Sequence, residues 1–344
     1  MRILLIRFSS IGDIVLTTPV LRCITEQKGA EVFYLTKASF ADIPAAHPMV
    51  SRVFALGAPG NSLLFKDKIH FSDSLKELAG ALRSLKVDAV IDLHNNLRSR
   101  LFRWMLGVPA FGFNKLNLEK WLLVQFGINL LPSKHIVDRY LEAVTPLGVQ
   151  PDNRGLDFPI PSFIADEMPG LIFASFGLSP EQRFGTFVLG ATHFTKRLPA
   201  DKWIELSSKI ELPIILLGGP AEYDTAEQIR AFSPLKVFNA CGKWNLFQSA
   251  AAVQRSEWVV THDTGLMHIA AALLKPIYSI WGNTLPEFGM YPYYPKSVNL
   301  NTSFEVMGLS CRPCSKIGFD HCPKGHFKCM NLQSMDQIAS QLPK

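Results

Sequence analysis

The 344-residue chain is 48% hydrophobic and 19% charged, which excludes pervasive disorder and leaves apolar surface enough for two domains. No apolar run approaches the roughly 18 residues that span a bilayer, and the opening MRILLIRFSSIGDIVL is broken at Arg7 with no small-residue cleavage pattern after it, so a cytoplasmic protein without a signal peptide is expected. The net charge of +6 suits an acidic ligand or a membrane surface, although mildly basic soluble proteins are common.

In chain order, the β-rich runs at 3–6, 32–35 and 89–92 read as strands separated by helix-length segments. The runs at 187–189, 213–217, 258–261 and 276–280 repeat the pattern in the second half. Such alternation predicts parallel sheets covered by helices. Between the halves, LDFPIPSFIADEMPG carries Pro159, Pro161 and Pro169 in quick succession and reads as a linker. The expected architecture is α/β, with two doubly wound domains facing each other across a cleft. Their expected bounds are 1–160 and 161–330, with 331–344 a tail helix packing back on the first domain.

The first strand runs into RFSSIGDIVL, a tight turn at Ser9, Ser10 and Gly12 followed by a helix opening near Asp13. Ligands gather at the carboxyl ends of strands in open parallel sheets. Gly12 permits a sharp backbone path or a close approach by ligand. The helix start would keep Asp13 ionised, either as a plain helix-terminal carboxylate or as a general base facing the cleft. Neither GxGxxG nor a P-loop sequence occurs.

The stretch VVTHDTGLMHIAAAL poses a choice, because Asp-Thr-Gly also marks aspartic proteases. Those need two carboxylates sharing a proton, and only one Asp-Thr-Gly is present. A strand followed by a helix from Gly265 offers another mechanism. The amides of Thr264, Gly265 and Leu266 would crown a helix N-terminus suited to a diphosphate. Asp263 beside them would accept hydrogen bonds from sugar hydroxyls. His268 one turn inside either faces the ligand or packs in the core.

The two loops together, RFSSIGDIVLTTPVL and HDTGLMHIAAAL, resemble the bacterial heptosyltransferases of lipopolysaccharide inner-core synthesis, glycosyltransferase family 9. IDLHNNLRSRL at 91–101, LGATHFTKRLPADKW at 189–203 and LLGGPAEYD at 216–224 add ordered matches. The resemblance implies a GT-B fold, two Rossmann-like domains with the nucleotide sugar held mainly by the second and the acceptor by the first. It also implies inverting transfer from ADP-heptose, with Asp13 as the base. Lys196 and Thr192 would meet the departing diphosphate, Glu222 the ribose hydroxyls, and Trp244 the adenine. From sequence alone, Lys196 could equally be a solvated surface lysine. No Asp-x-Asp occurs to hold a divalent ion, so a lysine and a helix N-terminus would stabilise the leaving group, with no catalytic cofactor.

From Arg98 to Lys120, five basic residues face Glu119 alone, with Trp104, Phe111 and Phe113 interleaved. Single-stranded nucleic acid is one partner for such a pattern, but a GT-B protein better fits an anionic glycolipid, and no nucleic acid is expected. Arg98, Arg100, Lys115 and Lys120, with Arg139 further on, are the acceptor candidates. A basic, apolar rim would also favour peripheral contact with the cytoplasmic face of the inner membrane. Near the end, CRPCSKIGFDHCPKGHFKC places Cys311 and Cys314 at zinc-knuckle spacing, with Cys322 and Cys329 spaced more widely. A structural zinc on these four, with His321 or His326 as substitutes, stands against free thiols or a disulfide. Two other functions stay open: transfer of a different nucleotide sugar onto a surface glycan, and non-catalytic nucleotide-sugar binding.

Overall fold

The apolar runs of the two halves become strands of two separate parallel sheets. The computed structural model describes residues 1–59 and 64–343. The chain divides into one unit of Met1–Lys115 with Lys134–Pro159, and a second of Leu116–Ser133 with Ile160–Lys344.

In the first unit, strands β1 (Arg2–Ile6), β2 (Glu31–Lys37), β3 (Val50–Leu56), β4 (Ile69–Ser72), β5 (Ala89–Asp92) and β6 (Ala110–Gly112) lie in the order β4-β3-β2-β1-β5-β6. Every neighbouring pair is parallel. The second unit repeats the plan with β7 (Gly185–Val188), β8 (Ile214–Leu217), β9 (Val237–Asn239), β10 (Val259–His262), β11 (Ile277–Trp281) and β12 (Asn301–Glu305). Their order is β12-β11-β10-β7-β8-β9, again all parallel. Both sheets grow outward in two directions from their first strand. The connections after β1 and β5, and after β7 and β10, therefore diverge and open a crevice at the carboxyl ends of those strands.

Helices cover both faces, which is why interior strands read as unbroken apolar runs. Leu4, Ile6, Phe33, Leu35 and Val90 pack with Leu78, Leu82 and Phe102 in the first unit. Phe187, Leu216, Val260 and Ile280 pack with Trp203 and Trp258 in the second. Trp258 lies just before its strand, and a Cβ at Gly185 would fall 2.1 Å from its ring. Only glycine fits at that crossing of strand and indole.

Three segments complete the two units. The proline-rich stretch is a linker only to its first residues, because Ser162–Phe176 is a continuous helix with Pro169 inside it. An interior proline removes a helix hydrogen bond. Ile164, Met168 and Ile172, buried four residues apart, offset that loss by packing this helix on the helix Leu246–Arg255. The tail has packing of its own within the second unit. Its helix Met335–Gln341 lies on the helix Ala200–Ser208, with Met335 and Ile338 in the second core and the Tyr278 hydroxyl donating to the Gln341 carbonyl at 2.9 Å. Finally, Leu116–Ser133, with the helix Asn117–Phe126, belongs to the second unit although it precedes residue 160.

Candidate active site

Asp13 is the third residue of the short helix Ile11–Val15 that follows β1. Its Oδ2 accepts from the Ser10 amide at 2.9 Å and the Ser10 hydroxyl at 3.0 Å, which closes the first turn as a capping box. Its Oδ1 meets Arg7 Nη2 at 2.5 Å. Ser9 supplies a carbonyl to Arg7 Nε at 2.8 Å, and Gly12 is buried in the turn. Arg7 also donates from Nη1 to the Leu93 carbonyl at 2.5 Å and to the Tyr140 hydroxyl at 2.9 Å. Burial by itself would push the Asp13 carboxyl up, but the Arg7 charge and the Ser10 hydrogen bonds outweigh it and hold it below the usual carboxylate range. Asp13 thus completes the cap of its helix and is ionised at neutral pH. Oδ2 is filled by its two Ser10 bonds, whereas Oδ1, with Arg7 as its one partner, keeps a lone pair for a further donor.

His94 follows β5, the neighbour of β1, and sits edge-on to Phe8 with ring centroids 5.0 Å apart. Burial first, then the nearby Arg7, lowers its pKa to about 4, so the imidazole is neutral at pH 7. The loop carrying it is fixed by buried Asp92, whose Oδ1 accepts from the amides of His94 at 3.0 Å and Asn95 at 2.7 Å.

In the second unit, the connections after β7 and β10 bring Lys196 and Asp263 together. Lys196 Nζ lies 2.6 Å from Asp263 Oδ2, and the Thr284 hydroxyl donates to the same oxygen at 3.1 Å. Thr264 is the N-cap of the helix Gly265–Ala272, and it, Gly265 and Leu266 are partly exposed at its start. Their amides are the unsatisfied donors of a helix N-terminus, an anion-binding arrangement next to an ionised pair. His268 is buried on this helix. Thr192 is exposed at the start of the loop that carries Lys196.

Glu222 is buried where the chain turns after β8. Its Oε2 accepts from the Gly219 amide at 2.9 Å, and its Oε1 lies 3.4 Å from Arg197 Nη2. A Cβ at Gly242 would come within 2.9 Å of Pro220, so the turn leading to Trp244 rests directly on the Glu222 turn. Trp244 itself packs on Phe176, ring centroids 5.4 Å apart.

The family model of glycosyltransferase family 9 (heptosyltransferase) matches residues 75–317. The chain belongs to glycosyltransferase family 9. Lipopolysaccharide heptosyltransferase 1 of Pseudomonas aeruginosa is similar to it, 28% identical over 342 residues that cover 92% of this chain and 86% of the relative. Among solved structures, the family-9 glycosyl transferase of Veillonella parvula superposes with a TM-score of 0.77 at 22% identity, covering 98% of this chain and 95% of that one. The E. coli heptosyltransferase WaaC with ADP superposes with a TM-score of 0.65 at 22% identity, covering 99% and 98%. The two six-stranded sheets are therefore those of a GT-B fold, and the family-9 chain is a glycosyltransferase.

The acceptor candidates of this family-9 enzyme are divided between the two units. Arg98 and Arg100 are exposed on the helix Leu97–Leu106, where Arg100 donates to Asn95 at 3.0 Å. Lys115 closes the first stretch of the first unit, whereas Lys120 belongs to the second. Arg139 is buried on the helix Ile136–Glu142, one residue before the Tyr140 that holds Arg7. The four tail cysteines are free thiols, with Cys311 Sγ 3.8 Å from His326 Nε2. Among the described residues no group of three or more His, Cys, Asp or Glu side chains is placed to hold a metal ion. Also among the described residues, no helix is long and apolar enough to cross a membrane.

Arg7, His94, Arg197 and Thr284 escaped the reading of the sequence. For Arg7 and His94 a signal existed, since both lie at the carboxyl ends of adjacent strands. For Thr284 none did, because its tie to Asp263 joins the connections after β10 and β11.

Proposed function

We propose that the enzyme transfers a heptose with inversion from ADP-heptose to a lipopolysaccharide inner-core acceptor of the Kdo/heptose–lipid A type, without a catalytic metal. The observation that carries this reading is the Lys196–Asp263–Thr284 cluster at a helix N-terminus. The family and the ADP of the E. coli neighbour support it. Lys196 leaves Asp263 for the diphosphate and, with the amides of Thr264, Gly265 and Leu266, neutralises charge on the departing ADP. Asp263 then accepts from sugar hydroxyls, Thr192 contacts the phosphates, Glu222 accepts from the ribose, and Trp244 borders the adenine.

Asp13 removes the proton from the acceptor hydroxyl as its oxygen bonds to the anomeric carbon and the carbon–diphosphate bond breaks. Arg7 and Ser10 hold the carboxylate in one orientation while this happens.

The acceptor reaches the enzyme at an anionic membrane surface on the cytoplasmic side. Leu97, Leu101 and Trp104 form an exposed stripe on the helix Leu97–Leu106, with Trp104 79% exposed, flanked by exposed Arg98 and Arg100. An apolar stripe with cations beside it is the pattern of an interfacial helix.

A panel of nucleotide sugars decides the donor. ADP-heptose is expected to give turnover and to raise the thermal midpoint, with UDP and GDP sugars inert. Turnover with another sugar nucleotide would replace the donor but keep the chemistry. Tight binding of ADP-heptose with no turnover on any lipid-linked acceptor would favour a non-catalytic binder.

A further inference from the structure

The cysteine-rich segment has no part in the chemistry above, yet it touches both loops of the donor cluster. Arg312, between Cys311 and Cys314, has a side chain only 5% exposed and spends its donors on five acceptors. Nε donates to the Gly282 carbonyl at 2.5 Å, and Nη1 to the Val306 carbonyl at 3.0 Å. Nη2 reaches the carbonyls of Thr284 at 3.1 Å and Trp281 at 3.4 Å and the Glu305 carboxylate at 2.9 Å. Three of the five, at Trp281, Gly282 and Thr284, lie at the end of β11 and in the turn after it, whose Thr284 hydroxyl donates to Asp263.

A few residues on, Phe319 pairs with Thr195, the neighbour of Lys196. The Thr195 amide donates to the Phe319 carbonyl at 3.1 Å, and the Phe319 amide donates to the Thr195 hydroxyl at 2.9 Å. Packing closes the arrangement. A Cβ at Gly282 would sit 2.8 Å from the Thr195 carbonyl, and one at Gly318 would sit 2.5 Å from His193. Phe327 stacks on Phe194 with centroids 5.0 Å apart.

We infer that the arm 312–319 sets the geometry of the donor cluster, with Arg312 and Phe319 as positioning residues for Asp263 and Lys196. The inference rests on the donor-site reading above. It assigns the cysteine-rich segment a role that needs no metal: a strut with one contact on each side of the ion pair. A lysine cannot replace Arg312, because one ammonium cannot reach four carbonyls and a carboxylate at once.

The test uses the full chain with Arg312→Ala, Arg312→Lys and Thr195→Val, and Tyr278→Phe as a control that removes a tail contact away from the cluster. ADP affinity, the separate KM values for ADP-heptose and acceptor, and amide hydrogen exchange of 194–196 and 281–284 are measured. Arg312→Ala is expected to weaken ADP and raise the donor KM about tenfold with the acceptor KM unchanged. Arg312→Lys should recover little, and Thr195→Val should raise the donor KM several-fold. Both loops should exchange faster in each variant, while Tyr278→Phe lowers the thermal midpoint and leaves the donor KM alone.

Folded Arg312 and Thr195 variants with the donor KM and loop exchange of the parent would overturn the inference. If Arg312→Ala does not fold, Thr195→Val alone decides. If the parent binds no adenine nucleotide, the donor reading fails instead, and loop exchange still judges the strut.

Discussion

The Asp13 cluster of the first unit and the Lys196–Asp263 cluster of the second are built differently. In the first unit, Arg7, Ser9, Ser10 and Asp13 lie within seven consecutive residues, so a strand end and one helical turn suffice to pair the carboxylate and cap the helix. In the second, Lys196, Asp263 and Thr284 come from three separate connections, with a fourth segment bracing two of them. A locally built site keeps its geometry as long as its turn is intact. A site assembled from distant loops depends on everything that holds those loops, so remote changes should reach the donor cluster more readily than Asp13, whose one distant dependence is the Leu93 and Tyr140 hold on Arg7.

The strongest break in that comparison is Asp13→Ala. Turnover should fall by roughly 10²–10⁴-fold with ADP affinity unchanged, as measured by steady-state kinetics beside calorimetry. A parallel loss of ADP binding would mean that Asp13 supports the fold of the whole enzyme and not one chemical step. Lys196→Ala comes next. It should lower kcat by about 10²–10³-fold and weaken ADP as well, because the lysine meets charge in both ground and transition states.

Arg7→Met sharpens the electrostatic side of the comparison. The Asp13 pKa is held below its ordinary value, so the stabilisation from its charge is complete above about pH 4 and is lost as pH falls through the lowered value. Without Arg7, burial pushes the carboxyl up, and the acid limb of kcat/KM should move upward by about one pH unit or more. His94, with a pKa near 4, adds no inflection between pH 5 and 8. A pH profile of the variant identical to that of the parent would remove Arg7 from the account. The smallest effect is expected at the surface. Trp104→Ala should weaken sedimentation with anionic vesicles about tenfold, the scale of one lost aromatic burial, and leave turnover on a detergent-solubilised acceptor unchanged.

Much of this was legible in the residues. The strands read correctly were β1, β2, β5, β7, β8, β10 and β11, all interior to their sheets and therefore apolar on both faces. Those missed were the four edges, β4, β6, β9 and β12, together with β3, whose exposed Ser51 and Arg52 break its apolar run. An edge strand borrows its identity from the neighbour it pairs with, and that partner is absent from its own residues. Pro169 misled for a related reason. Local propensity argues against a helix there, and only the burial of Ile164, Met168 and Ile172 overrides it.

By itself, the sequence determined what short-range forces decide: the alternation of strand and helix, the tight Ser-Ser-Ile-Gly-Asp turn, the helix start at Asp-Thr-Gly, and the family these motifs identify. Tertiary structure alone decided which charges meet. Lys196 finds Asp263 sixty-seven positions away because β7 and β10 are neighbours at the centre of one sheet, and Arg312 finds the turn after β11 because the tail folds into the same core. Such contacts are products of strand order and packing, which act between residues whose local sequence carries no mark of the partner.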